Sequence, residues 1–486
     1  MSEIKPLSKK MIYSHGTVGL PMAVYGYPLS IWIPPHYSGS LGIDLATVGL
    51  ILMLARFTDV ITDPIIGNVS DRWMTPIGRR KPWLIIGTPI MLLGIFKLFA
   101  PAGDVDLMYF LVWLTVFFLG STMILLPHRA WGAEMSTDYH QRSQITAARE
   151  LYYLAGLMVA AAVPMVVEVT ADGGGSVAAV LSKIWNDATG AFTGEIMNMQ
   201  PVDRNTLTGP VLAALAWTIL GLLPLAAAIC FFAVKEPPLT HHEKVPFREG
   251  LRYLLKNGPM LRVLMIVLLV HFGESFRNAV SWFFIKDIVG VPTIGAAYFF
   301  YFIAGLAAIP FWLALGRRFG KHMAFMCTLV VVAMVSAANL FLAQGDYLPF
   351  FLLFIVKGFC FGGLHFLPIA MLADVVDVDS ARTGGKRAGT YFAIFGCTEK
   401  IAIALGTGMS LNVVGLLGFE PSLGVSGSSE VGVTALRLVY CLGPVVFYGL
   451  AFRLIWNYPL TPARHDRLRQ RLARREAKRA AAQSSA

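Results

Sequence analysis

The sequence predicts an all-α membrane protein whose twelve transmembrane helices fall into two six-helix halves. Three observations predict it: an apolar composition, the regular return of segments long enough to span a bilayer, and positive charge confined to alternate loops. Of 486 residues, 56% are hydrophobic and 14% charged, and the mean hydropathy is +0.62. A soluble fold has no interior large enough for that much apolar surface, so the solvent is largely lipid. A helix crosses the hydrocarbon core with about 20 apolar residues. Twelve segments qualify, with limits near 11–36, 44–71, 82–101, 105–133, 143–168, 209–234, 259–288, 293–316, 322–343, 347–373, 388–415 and 432–457. The polar start MSEIKPLSKK carries no small-residue cleavage pattern, so the first span is expected to stay in the mature protein.

Charge sets the orientation. Lys5, Lys9 and Lys10, then Arg72, Arg79, Arg80 and Lys81, then Arg142, then Lys235 to Lys256, Arg317 to Lys321, Arg382 to Arg387 and the tail all fall on one side. The other side holds little beyond Lys183, Arg204 and Lys286. The positive-inside rule then places both termini in the cytoplasm of a cell (inner) membrane protein. The same scatter argues against nucleic acid as a partner despite the net charge of +11, because a nucleic-acid footprint gathers its basic residues on one soluble face. The expected partners are a small-molecule solute and membrane lipid, with the chain acting as a monomer. Cys230, Cys327, Cys360, Cys397 and Cys441 lie in apolar segments without metal-ligand spacing and read as packing residues.

The polar, proline-bearing stretch 235–258 divides the chain into an N-terminal half, 1–234, and a C-terminal half, 259–457, followed by a basic tail, 458–486. The halves echo each other weakly: Gly78-Arg79-Arg80-Lys81 follows the second span and Gly316-Arg317-Arg318 the eighth. Such repetition belongs to membrane proteins built from related halves around a central site. The long loop 172–208 holds a glycine run whose role the sequence does not reveal, and the tail is suited to a solvated position or to anionic headgroups.

Charges inside spans cost several kcal/mol unless paired or hydrated, which makes them functional candidates. In the second span Arg56, Asp59 and Asp63 recur at i, i+3 and i+7, on one helical stripe. Two carboxylates one turn apart repel each other, and Na⁺, Li⁺ or a proton relieves that strain. The other reading is an ion-pair network in which Arg56 simply neutralises the acids. Lys400, next to Glu399 in the eleventh span, is positioned to take the cation's place or to pair only with Glu399 or a neighbouring helix. Arg149 near the start of the fifth span suits a hydroxylated solute, a bridge to the acids, or plain snorkelling. Glu274 and Arg277 are expected to neutralise each other. Tyr25, Tyr27 and Trp131 are candidate stacking platforms, while Trp32 reads as an interfacial anchor. Gly26, Pro28 and Pro34 make the first span irregular, which is tolerated where backbone is covered by protein or lines a cavity.

Three loop constellations read as a conformational switch. They are Asp71 with Arg72, Arg79 and Arg80; Glu134, Asp138 and Arg142; and Asp374, Asp377, Asp379, Arg382, Lys386 and Arg387. Opposite charges on the two halves are expected to bridge between them in one state and separate in another.

Taken together, Arg56-x-x-Asp59-x-x-x-Asp63-Pro64-x-x-Gly67-x-x-x-Asp71-Arg72 and Gly78-Arg79-Arg80-Lys81-Pro82 resemble the glycoside-pentoside-hexuronide cation symporters, the group that contains the melibiose permease. So do Pro127 through Glu134, Asp138, Arg142 and Arg149, and Leu372-Ala-Asp374-Val-Val-Asp377. The resemblance implies the twelve-helix major facilitator fold, with Asp59 and Asp63 as the cation site for Na⁺ or H⁺, Lys400 as the matching lysine, and Arg149 near the sugar. It implies symport of a sugar, glycoside or uronide, with no cofactor beyond the coupling ion. Leu125 stands where the melibiose permease has a sugar-binding aspartate, and His128 and Arg129 precede Trp131, so recognition differs from melibiose. A related eukaryotic branch carries lysophospholipids, which makes a lysolipid or other amphiphile the alternative solute.

Two other classes compete. An intramembrane prenyltransferase would use Asp59, Asp63 and Asp71 with Asp374, Asp377 and Asp379 as Mg²⁺-diphosphate sites. Asp59 and Asp71, however, lie about 18 Å apart along one helix at 1.5 Å per residue, too far to share an ion. A sensor with the same fold would bind solute without accumulating it in vesicles. The charge asymmetry predicts that tags at either terminus or within 235–258 are protected from an impermeant label in intact cells. Labelling at the C-terminus without labelling in 172–208 would reverse the orientation.

Overall fold

The computed structural model describes residues 7–136, 139–171, 207–236, 257–383, 388–456 and 458. Within them the chain is helical throughout, and eleven helices are long and apolar enough to cross a membrane. The expected first span is the exception. It is broken into α1 (Lys9–Gly16), α2 (Gly19–Ile31), a short turn Ile33–Pro35 and a π-turn His36–Ser40. Pro28, Pro34 and Pro35 each lack the amide that a continuous helix needs.

The remaining long helices are α3 (Leu45–Arg72), α4 (Lys81–Phe99), α5 (Leu107–Glu134), α6 (Tyr139–Ala171), α7 (Thr208–Ala233), α8 (Gly258–Asn278), α9 (Ile294–Phe319), α10 (Lys321–Ala338), α11 (Tyr347–Thr383), α12 (Ala388–Leu416), α13 (Glu430–Cys441) and α14 (Gly443–Trp456). Short polar side chains start several of them. Asp44 accepts from Thr47 N at 2.8 Å, Asp106 from Tyr109 N at 2.7 Å and Ser429 from Gly432 N at 2.9 Å, satisfying amides that the first turn leaves without partners. Helix α9 runs to Phe319, so Gly316 and Arg317 sit inside a helix. Their resemblance to the Gly78-Arg79 turn is one of sequence alone.

Without a hydrophobic force between helices in lipid, close packing relies on small residues that let backbones approach. Along α3 and α12, which run antiparallel, a Cβ at Gly49 would lie 2.7 Å from Leu411 Cβ. One at Gly408 would lie 2.6 Å from Met53, and one at Gly415 2.7 Å from Ala46 N. The same register, continued two turns along α12, sets Lys400 opposite the stretch between Asp59 and Asp63. In the same way Gly19 of α2 presses on the carbonyl of Arg149 in α6, where an added Cβ would come within 2.7 Å.

The α3–α12 approaches, which join the two chain halves, lie toward the end of the bundle remote from the termini. At that end Glu168 of α6 accepts from the first amides of α9, Ile294 N at 3.1 Å and Gly295 N at 2.8 Å. The Tyr27 ring meets Tyr298 with centroids 4.6 Å apart and Phe302 at 5.0 Å. At the other end a Cβ at Gly67 of α3 or at Gly396 of α12 would find nothing within 4 Å. Among the described residues these contacts between the halves lie at that end and at the α3–α12 crossing, and the end nearer the termini is the open one.

Glu168 is 5% exposed, so its removal leaves two buried amides without an acceptor. Glu168→Ala is expected to loosen this end and to raise, several-fold, the alkylation rate of a reporter introduced as Tyr27→Cys in a protein freed of its native cysteines. An unchanged rate would show that the closure does not depend on this carboxylate.

Candidate functional site

The α3–α12 crossing brings together the groups that carry charge in the core. Lys400 Nζ lies 2.6 Å from Asp63 Oδ2 and 3.3 Å from Asp59 Oδ2, and Arg56 Nη1 lies 3.4 Å from Asp59 Oδ2. The Arg56 guanidinium rests 4.4 Å above the Phe118 ring. From α5, Thr122 Oγ1 stands 3.2 Å from Asp63 Oδ1 and 3.4 Å from Asp59 Oδ1, within donating distance of both acids. Two carboxylates thus share two cations and a hydroxyl, the balance that a low-dielectric interior requires. Asp59 is buried, whereas Arg56, Asp63 and Lys400 are 21% to 26% exposed. An ion reaching the pair from the open end would meet Asp63 and Lys400 first.

Other expected site residues take different surroundings. Arg149 pairs with its neighbour Glu150 at 2.7 Å rather than with the acids of α3. Tyr25 is buried, its hydroxyl 2.6 Å from Ser121 Oγ and its ring edge-on to Phe117. Trp131 is 1% exposed, set edge-on against His15 at 6.0 Å. In this state it has no face free for a solute. Trp32, expected at the membrane interface, is likewise in the core. Tertiary packing encloses these rings, and a single-span reading does not contain it.

Glu274 makes its direct ion pair with a residue on another helix, while the charge of Arg277 still acts on it. Lys357 Nζ of α11 lies 3.1 Å from Glu274 Oε2, and Tyr448 donates to the other carboxylate oxygen. Arg277 Nη2 donates to Tyr440 at 3.1 Å, with the guanidinium 4.6 Å over that ring. Lys357, Thr122 and Glu168 escaped the sequence reading. A lone lysine in an apolar span is a signal for the first, and Glu168 is an acid within the fifth span, but a threonine in a helix carries none.

In this state, with the halves apart at the end where these loops lie, the described loop charges close within each half. Arg79 Nη2 donates to Glu134 at 2.6 Å, and Arg80 Nη2 to Asp71 and Glu134 at 2.7 Å each. Burial works against the Arg80 cation, but these carboxylates outweigh it and hold the guanidinium above its ordinary range. Arg142 Nε donates to the Ser136 carbonyl at 2.6 Å. In the other half Lys321 bonds Asp374 at 2.6 Å. Asp138, Lys386 and Arg387 lie outside the described residues, as do the side chains of Asp377, Asp379 and Arg382. Glu236, within the stretch expected to be linker, is fastened to the N-terminal half. It accepts from the amides of Arg79, Arg80 and Lys81 at 2.6, 2.8 and 2.7 Å and so caps α4.

A helical membrane bundle with a charged core site shared by its two halves defines a transporter of the major facilitator type. The chain belongs to the MFS/sugar transport protein family, whose model matches residues 14–462. It is a multi-pass membrane transporter and not an enzyme. It is 24% identical to an uncharacterized symporter of Synechocystis, with 96% of each chain covered. It is 23% identical to a sodium-dependent lysophosphatidylcholine symporter of Danio rerio, over 92% of this chain and 85% of that one. The crystal structure of the nucleoside transporter NupG superposes with a TM-score of 0.60 at 15% identity, covering 93% of this chain and 100% of that one.

Loss of the Glu236 carboxylate removes three charge-assisted bonds to backbone amides. Glu236→Ala is expected to destabilise the N-terminal half by on the order of 2 kcal/mol and to speed proteolysis between α3 and α4. Equal proteolysis of variant and parent would remove Glu236 from this role.

Proposed function

We propose that this cation-coupled secondary transporter carries a sugar, glycoside or uronide in symport with Na⁺, by alternating access between two bodies, 1–234 and 259–457, joined by the 235–258 linker. The observation that supports it most is the acid pair Asp59 and Asp63 on one half, held by Lys400 from the other. In this state Lys400 and Arg56 already balance both carboxylates, so an entering Na⁺ competes with the ammonium for the same oxygens. Binding of the cation therefore changes a contact between the halves, which is how one site biases a global equilibrium. Thr122 favours Na⁺ over a proton, because a hydroxyl beside two carboxylates supplies a third oxygen to a hard cation, while a proton needs one carboxylate only. Arg149, released from Glu150, is the donor for solute hydroxyls, and Tyr25 is held by Ser121 as a wall of the same space.

Asp71, Arg79, Arg80, Glu134 and Arg142 act as braces that keep the N-terminal body rigid while it rocks, and Asp374 with Lys321 does the same for its counterpart. With both termini cytoplasmic in a cell (inner) membrane, the open end faces the cytoplasm. The protein works as a monomer, and its basic tail lies in water or on the lipid surface. The Danio rerio relative keeps a lysolipid as the second solute reading.

Asp59→Asn and Asp63→Asn keep the shape of the site and remove the charge. Each is expected to abolish Na⁺-stimulated uptake in proteoliposomes while solute exchange persists. Linkage requires that Na⁺ tighten solute binding by the factor with which solute tightens Na⁺ binding, and both effects should vanish together. Solute affinity measured against Na⁺ and against pH checks this, and gradient-driven accumulation by Asp59→Asn at the parent level would sink the cation site.

A further inference from the structure

Arg129 has no part in the site described so far. It lies in the apolar helix α5, between buried His128 and Trp131, and its own side chain is exposed. Seven residues separate it from Thr122, which returns it to the same helical face about 10 Å nearer the open end. That face is the one Thr122 turns to Asp59 and Asp63. Arg149 of α6, Tyr25 of α2, and His365 and Glu399 of the opposite half lie within its electrostatic reach. Among the described residues Arg129 forms no ion pair. The nearby guanidinium of Arg149 has one carboxylate, Glu150, at 2.7 Å, and Glu399 has its own neighbour in His271, at 3.6 Å.

The charge count points the same way. Apart from the Lys357, Arg277 and Glu274 cluster, itself one positive charge in excess, the core helices carry four part-exposed or paired cations, Arg56, Arg129, Arg149 and Lys400, and four carboxylates, Asp59, Asp63, Glu150 and Glu399. The set is neutral when empty and carries one positive charge once a monovalent cation has entered. A neutral solute leaves that charge in a poorly solvated space, whereas a solute with one acidic group cancels it. Two guanidinium groups are also the donors best matched to carboxylate or phosphate oxygens.

We infer that Arg129, with Arg149, forms the anion-receiving end of the solute site, so that the transported solute carries a carboxylate or a phosphate ester. This rests on the symport reading and narrows it. Arg129 is then the residue that separates charged solutes from their neutral counterparts, and the two sources of such a group, an acidic sugar and an acidic lysolipid, are told apart by the probe.

Two matched pairs serve as probes for the purified full-length protein in NaCl: glucuronate against glucose, and lysophosphatidic acid against a monoacylglycerol of the same chain. Affinity is read by thermal stabilisation. The acidic member of one pair is expected to bind at least tenfold more tightly than its neutral partner. Arg129→Gln should erase that preference, a loss of roughly tenfold or more for a hydrogen bond to a charged group, and Arg129→Lys should restore part of it. The midpoint of stabilisation by NaCl alone should not move in Arg129→Gln, which separates a lost solute contact from a damaged fold. Equal binding within both pairs, binding of no probe, or an Arg129→Gln protein that keeps the preference overturns the inference. The symport reading is judged separately, by whether accumulation in proteoliposomes requires the Na⁺ gradient.

Discussion

A charge inside a bilayer must find a partner, and in this chain the partner of the α3 acids stands on the other half of the molecule. That constraint organises the bundle. Asp59 and Asp63 draw part of their charge balance from Lys400. Lys400 is within reach only because glycines at positions 49, 408 and 415 let α3 and α12 approach at backbone distance. Packing and electrostatics are thus one design, since the residues that permit contact also set the register at which the charges meet. The second buried pair, Lys357 with Glu274, obeys the same rule within one half and is correspondingly less exposed to an entering ion.

What the sequence disclosed followed the cost of misplacing a residue type. An aspartate or lysine in an apolar span is expensive, so Asp59, Asp63, Arg56 and Lys400 stood out, and so did the spans themselves. The identity of each partner was harder to read. Glu274 and Arg277 sit one turn apart and act on each other's charge, yet their direct bonds go to Lys357 and to the hydroxyls of Tyr448 and Tyr440. Spacing along one helix does not reveal what a neighbouring helix presents. Trp32 lies in the core rather than at the interface for a related reason, because an aromatic near a span end suits both equally well until its neighbours are known.

The described loop charges brace each half in this state. Acid and base do recur after corresponding spans, and they do pair, but each pair ties helices of the same half. Their effect is to stiffen. Glu236 extends this by pinning the first residues after α7 to the start of α4, so the N-terminal body ends later than its last helix.

The glycine crossing of α3 and α12 has a mechanical side. Backbones in direct contact can rotate on each other but have little room to slide, so while the end remote from the termini stays shut the crossing near Gly49 and Gly408 is the point about which the two helices can tilt. Lys400 sits on the lever arm about 12 Å away, two turns along α12. A tilt of about 10° around such a point carries the ammonium through about 2 Å, comparable to the 2.6 Å that separates it from Asp63. A small angular change at the pivot is therefore enough to make or break the ion pair, and the leverage is fixed by where the glycines fall in the sequence.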